Sequence, residues 1–285
     1  MIRQLFRAAH ILITQKYTYW LCKQPAKEII SFLFIVILYI IMVFATPNLL
    51  ITMKNPITLD TGNKFVGFVD IMGFKDKLFR KPHAESLKDI LTFANAIEEV
   101  RKTQRKGEVK IQSANFSDSV LGVTREATSS EAHCIIRVFE KYFVEGLSSG
   151  IPIKGAMAYG EFTADFKKNV FCGIPLVDAY LLGEELGFYG VTLHHTFQRK
   201  LVDLGELNHF VKENWIIEYD TPFKSSGKSK HYCINWLKAV KDDKTDEVEN
   251  RVKEFYLSSS GRIRLYVDNT LAFMDFCKRR MNKTE

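Results

Sequence analysis

The period of the apolar positions changes near residue 64, and this change splits the chain into two parts. Upstream, Ile29 to Ala45 is a 17-residue run without a charge, near the lower limit of roughly 17 to 25 residues for a helix that crosses a bilayer, and Thr46-Pro47 closes it. Downstream, short apolar runs alternate with amphipathic stretches, the pattern of mixed α and β structure. It predicts a strand at 65–70 and a helix near 84–104, where Leu87, Ile90, Leu91, Ala94, Ile97 and Val100 recur every three or four residues. Strands at 108–116 and 119–124 meet at Ser117-Asp118. A helix near 130–147, a strand at 153–160 and a helix at roughly 174–187 follow. The order βαββαβ is that of an α+β, ferredoxin-like or palm domain. Beyond it the pattern predicts a C-terminal α/β elaboration. This comprises a helix at 205–214, two strands around Tyr219 and Tyr232 separated by the turn-rich stretch 224–228, and two final helices. Residues 53–285 therefore read as one domain, preceded by an N-terminal segment, 1–52.

Composition narrows the options. With 46% hydrophobic and 26% charged residues, the 285-residue chain is globular in type. Its net charge of +7 is partly an end effect, because residues 1–52 hold Arg3, Arg7, Lys16, Lys23 and Lys27 against Glu28 alone; the remainder carries 35 bases and 32 acids. A polyelectrolyte role on nucleic acid is thus not expected, and the basic last turn (Lys278, Arg279, Arg280, Lys283) reads as a solvated helix end. The charges also bear on the candidate transmembrane helix 29–45. Five bases before it and few close after would export everything beyond residue 50 by the positive-inside rule. Two readings stand: other forces set the orientation, leaving a cytoplasmic domain anchored to the inner membrane, or translation starts at Met53. The five cysteines are scattered, odd in number and without a CxxC pair, so they indicate neither a disulfide framework nor a zinc site. His194 and His195, read as neighbours on a strand, would point to opposite faces, leaving one in solvent.

Asp70 and Asp118 carry the most chemical information. The helix crossover of a βαββ unit makes its second strand parallel to its first, so the end of strand one and the turn after strand two share an edge of the sheet. Asp70 stands at the first place and Asp118 at the second. Two carboxylates brought together repel unless a divalent cation holds them, and two Mg²⁺ or Mn²⁺ ions on paired aspartates activate a hydroxyl for attack on phosphorus. The plain structural alternative is that Asp70 opens a turn and Asp118 caps a hairpin. On spacing alone both stand.

The local words add a resemblance. Phe68-Val69-Asp70-Ile71-Met72-Gly73-Phe74 resembles the first metal motif of class III nucleotide cyclases, and Phe116-Ser117-Asp118-Ser119-Val120-Leu121 resembles the second. Lys154-Gly155-Ala156 through Gly160, then Gly173-Ile174-Pro175-Leu176-Val177-Asp178-Ala179-Tyr180, are similar to the later glycine strand and its helix. These matches span roughly 65–190. The resemblance implies catalytic and metal-binding Asp70 and Asp118, a metal contact from the Ile71 carbonyl, and a triphosphate-binding loop at Phe68, Ile71, Met72, Gly73 and Phe74, with Lys154 against phosphate. It also implies a homodimer, since class III sites form between two subunits.

Departures refine it. Ala114 stands where purine cyclases carry a base-reading Lys, and Val177 and Leu181 stand where an Asn and an Arg assist the transition state. In this the chain resembles the pyrimidine cyclases of bacterial Pycsar antiphage defence, which implies UTP or CTP as substrate. Tyr232-Cys233-Ile234-Asn235-Trp236 and Asn269-Thr270-Leu271-Ala272-Phe273 are similar to the same group. A purine cyclase with unusual base contacts and a catalytically inactive nucleotide-binding sensor are the alternatives. No P-loop, Rossmann fingerprint or nucleophile elbow occurs in the sequence, and Gly183-Glu184-Glu185-Leu186-Gly187 reads as a helix end.

Overall fold

The computed structural model describes residues 60–103, 110–240 and 244–282. The candidate transmembrane run 29–45 lies outside them, as does Met53, and no described helix is long and apolar enough to cross a membrane. Leu59–Glu285 forms one compact unit.

Strand β1 (Asp60–Ile71) leads through Gly73 into a short helix α1 (Phe74–Arg80) and then α2 (His83–Lys102). Pro82 at the N-cap divides the two helices, because its ring allows no continuous helical hydrogen bonding across it. The hairpin β2 (Gln112–Phe116) and β3 (Ser119–Val123) follows, then α3 (Ser129–Ser148), β4 (Ile153–Asp165), β5 (Val170–Cys172) and α4 (Ile174–Glu185). The chain continues with β6 (Val191–Leu193), α5 (His195–Asp203), α6 (Leu207–Lys212), β7 (Ile216–Phe223), β8 (Gly227–Ile234), α7 (Thr245–Glu254) and α8 (Arg264–Met281).

One mixed eight-stranded sheet runs β2-β3-β1-β4-β6-β8-β7, with β5 paired to β4 off this path. Its first half, read from β4, is β4-β1-β3-β2, the ferredoxin-like order expected of βαββαβ. Among the described strands only β4 and β6 pair in parallel. Phe65, Val69 and Ile71 of β1, Val120 of β3 and Ile153 and Met157 of β4 enter the main core with α2 and α3. The alternate residues Val66, Leu121, Val123, Phe162 and Ala164 form a second, smaller cluster on the opposite face, with Phe68, Ala114 and Leu176 packed against it. Period-two alternation thus gives β1 two apolar faces, and its last acid, Asp70, belongs to the smaller one.

Some expectations change. The strand expected at 65–70 extends back to Asp60, because β1 pairs with β4 residue for residue from Asp60↔Ala164 to Ile71↔Ile153. Of the helix expected at 205–214, Leu207–Lys212 is helical. Gly205, whose φ is 73°, is a left-handed turn that a helix cannot run through, and it separates α6 from α5, a helix at His195–Asp203 that the sequence pattern did not predict. His194 and His195 are not strand neighbours: β6 stops at Leu193, His194 is the N-cap of α5 and His195 its first residue. His195 is exposed, whereas His194 is held by Thr196 Oγ1 at 3.0 Å and lies 3.6 Å from Asp178.

Candidate active site

The sheet brings Asp70 and Asp118 to one edge. Asp70 is the penultimate residue of β1 and lies in register between Ser119 of β3 and Lys154 of β4. Asp118 occupies the turn of the β2–β3 hairpin, where Ser117 takes a left-handed φ of 53°. The Ile71 N–H donates to the Asp118 carbonyl at 2.9 Å, which fastens this turn to the end of β1.

The electrostatics are those of an acid site short of positive charge. Burial pushes the Asp70 carboxyl up to about 7; the Lys154 ammonium opposes this, while Glu184 and Asp118 reinforce it. Burial also raises Asp118, against hydrogen bonds from its own backbone and the Ser117 hydroxyl. Tyr180 is raised by burial and by Glu184, Asp70 and Asp118, and its ring meets Phe68 edge-on at 5.8 Å. The donor atoms here are carboxylate oxygens and strand-end carbonyls, the hard ligands that suit Mg²⁺ or Mn²⁺, and a carboxyl driven to about 7 chiefly by burial gains most from such an ion. Asp70, Asp118 and the Ile71 carbonyl are the groups that fit one.

The residues of the expected triphosphate loop divide by what they present. Ile71 and Phe74 are buried in the main core and Met72 packs against it, so these three can offer a ligand only backbone. Gly73 is exposed, with φ 73°, and no side chain caps α1 after it; a residue with a Cβ would be strained there. Phe68 lies on the site face, across from Ala156.

Lys154 is fully buried, and its three N–H donors go to the Gly183 carbonyl at 2.9 Å, the Glu184 carbonyl at 3.2 Å and the Glu184 Oε1 at 2.7 Å. An ammonium has three hydrogens, so Lys154 ties β4 to the end of α4. The same junction explains the glycines of this motif. A Cβ on Gly183 would approach the Gly155 Cα at 3.2 Å, and one on Gly155 would come within 2.1 Å of the Phe68 carbonyl.

Two charged residues join the site that the sequence reading left out. Glu184 sits at the helix end foreseen for 183–187, yet it reaches back to Lys154 and lies 3.8 Å from Lys224. Burial would raise Glu184, but these two ammonium groups outweigh it and hold it low. Lys224, from the β7–β8 turn, is lowered by burial and by Lys154. No local signal marks it, since the turn in which it sits reads only as turn. The positions at which the sequence departs from the motifs it resembles are also among the described residues. Ala114 is partly buried against the smaller cluster, opposite Leu121 of β3, whereas Ile174, Val177 and Leu181 share a face of α4 and are 69%, 45% and 50% exposed.

No family model and no curated protein matches the chain. Among solved structures it is similar to a bacterial light-regulated adenylyl cyclase at 15% identity and a TM-score of 0.43, over 83% of this chain and 65% of that one, so it spans just under two thirds of that protein. It is also similar to the guanylyl cyclase domain of a RhoGC fusion protein from the aquatic fungus Blastocladiella emersonii (14% identity, TM-score 0.43, 61% of this chain and 97% of that one). A third is the guanylyl cyclase Cya2 (11% identity, TM-score 0.44, 62% and 92%). The chemistry of the site rests on its own residues.

Proposed function

We propose that the chain is a nucleotide cyclase that closes a pyrimidine nucleoside triphosphate, UTP or CTP, to its 3′,5′-cyclic monophosphate. The ribose 3′-oxygen attacks the α-phosphorus, the α–β phosphoanhydride bond breaks and diphosphate leaves. The observation that carries this reading is the pair Asp70 and Asp118 at adjoining strand ends, with the Asp70 carboxyl held up at about 7 by burial among further acids. Two Mg²⁺ or Mn²⁺ ions on Asp70, Asp118 and the Ile71 carbonyl would supply hydroxyl activation and offset charge on the transferring phosphoryl group. The Gly73 turn lets backbone N–H groups approach a triphosphate. Phe68 and Tyr180 wall the site face, and Lys224 adds positive charge beside Asp70. The exposed apolar stripe of α4 supports a homodimer, because uncovered apolar surface of this kind marks an interface. The cyclic product would act as a signal in antiphage defence, made in the cytoplasm by a domain that the segment 29–45 anchors to the inner membrane.

Pyrimidine preference follows from Ala114, which cannot hydrogen-bond a purine where a Lys would; losing such a contact forfeits on the order of 1–3 kcal/mol of discrimination. The apolar Val177 and Leu181 favour a second reading, an inactive nucleotide-binding sensor. Equimolar ATP, GTP, CTP and UTP with Mn²⁺, and identification of products by mass, separate the readings. A cyclic pyrimidine nucleotide is expected. A dominant purine product returns the chain to ordinary cyclases, and no product from any of the four supports the sensor.

A further inference from the structure

A second group of metal-ligating side chains lies on other elements. His133 of α3, Glu206 at the N-cap of α6 and His209 of α6 each offer one ligand atom, and the three atoms lie within 4.8 Å of one another. We propose that these residues bind a divalent transition-metal ion, Zn²⁺ foremost, which clips the α5–α6 turn to α3.

Several observations carry this assignment. Glu206 and His209 are three residues apart, so α6 presents both on one side, the carboxylate–histidine spacing used on metal-binding helices. His133 enters from 73 residues away in sequence, with its Nε2 3.4 Å from Glu206 Oε2. Ligands about 2.0–2.1 Å from a tetrahedral Zn²⁺ lie about 3.3–3.4 Å apart, so this pair is already at the spacing of a tetrahedral edge. The imidazoles are packed in place: the His133 ring lies 4.2 Å from the buried Phe210 ring and 5.5 Å from that of His209. The left-handed Gly205 turns the chain so that Glu206 starts α6 facing α3.

The nearby cations do not satisfy the carboxylate. Arg137, one turn along α3 from His133, has its guanidinium over the Trp215 ring at 4.6 Å. Among the described residues the ion-pair partner of Glu206 is His133, which is charged only when protonated. Two imidazoles and one carboxylate form the ligand set of zinc and related transition metals, whereas the oxygen donors of Asp70 and Asp118 suit Mg²⁺ and Mn²⁺. His209 is exposed and His133 and Glu206 half-buried, which leaves the fourth position to water.

The test uses the full chain, stripped with a chelator and kept in millimolar Mg²⁺, which fills oxygen sites and competes poorly for imidazole. Zn²⁺ is titrated against a chromophoric chelator, Co²⁺ binding is followed by its ligand-field absorption, and the melting temperature is recorded in parallel. One Zn²⁺ equivalent is expected, with a tetrahedral-type Co²⁺ spectrum and a melting temperature raised by about 5–10 °C at a hundredfold excess over Kd. His209→Gln, which changes an exposed side chain, and Glu206→Gln should each weaken Zn²⁺ binding at least about tenfold, whereas Asp70→Asn should leave it unchanged. Zn²⁺ binding that survives His209→Gln, or that disappears with Asp70→Asn, overturns the assignment, as does a chain that takes up no Zn²⁺. Failure of the cyclase reading alone would leave all these readouts unaffected.

Discussion

Asp70→Asn removes the charge from the site while keeping its shape, and its effect on stability can be worked out beforehand. The Asp70 carboxyl is raised from an ordinary 3.8 to about 7, so between these values the folded chain holds a proton that the unfolded chain has lost. Stability therefore falls as pH rises through that window. Relative to a permanently neutral side chain, the cost is under about 1 kcal/mol near pH 4 and approaches about 4 kcal/mol at pH 8, at 1.36 kcal/mol per pH unit. Solvent at the sheet edge trims the upper figure, so a gain of about 2–4 kcal/mol is expected for the variant at pH 8. The assay is urea unfolding of both proteins in chelator at pH 4, 6 and 8, comparing midpoints at constant slope. Mn²⁺ should then raise the wild-type midpoint at pH 8 far more than that of the variant, because it meets the charge that the fold leaves uncompensated. A variant as stable as wild type, or less stable, at pH 8 would refute the reasoning. It would mean that Lys154 and Lys224 already balance Asp70, and that the site has no electrostatic need of an ion.

Two further outcomes follow from the same geometry. Lys154→Met should cost about 1–3 kcal/mol in urea unfolding at pH 7, since it leaves the Gly183 and Glu184 carbonyls without their donor and Glu184 with Lys224 alone. It should also move the fall in stability to higher pH, because Lys154 is the main group that opposes the rise of Asp70; an unchanged pH profile counts against this. Leu181→Asp places a charge on the exposed stripe of α4, and should halve the mass in sedimentation and abolish cyclisation while the circular dichroism stays that of the wild type. A dimer that survives the change would move the interface elsewhere.

The period of apolar residues was enough for the βαββαβ order and for the placement of Asp70 and Asp118 at one sheet edge. Each of those facts depends on local alternation and on the rule that a helix crossover makes strands parallel. The start of β1 was not legible, because 60–64 (DTGNK) lacks the apolar alternation of a strand and is made one only by its pairing with β4. Nor was α5 legible, or the left-handed Gly205 that holds the next helix back to Leu207. Lys154 shows the same limit at the site. Its sequence neighbours give no sign of where its three donors go, which is to acceptors that α4 supplies from 29 and 30 residues away. Glu184 and Lys224 meet Asp70 only because α4 and the β7–β8 turn converge on that edge, and His133 meets Glu206 only because α6 folds back on α3. The sequence by itself determined which side chains could carry charge or ligate a metal, and on which face of its own element each would stand. Which of them share a site was decided by tertiary packing, since contacts across tens of residues depend on how close the elements approach, and no local period encodes that distance.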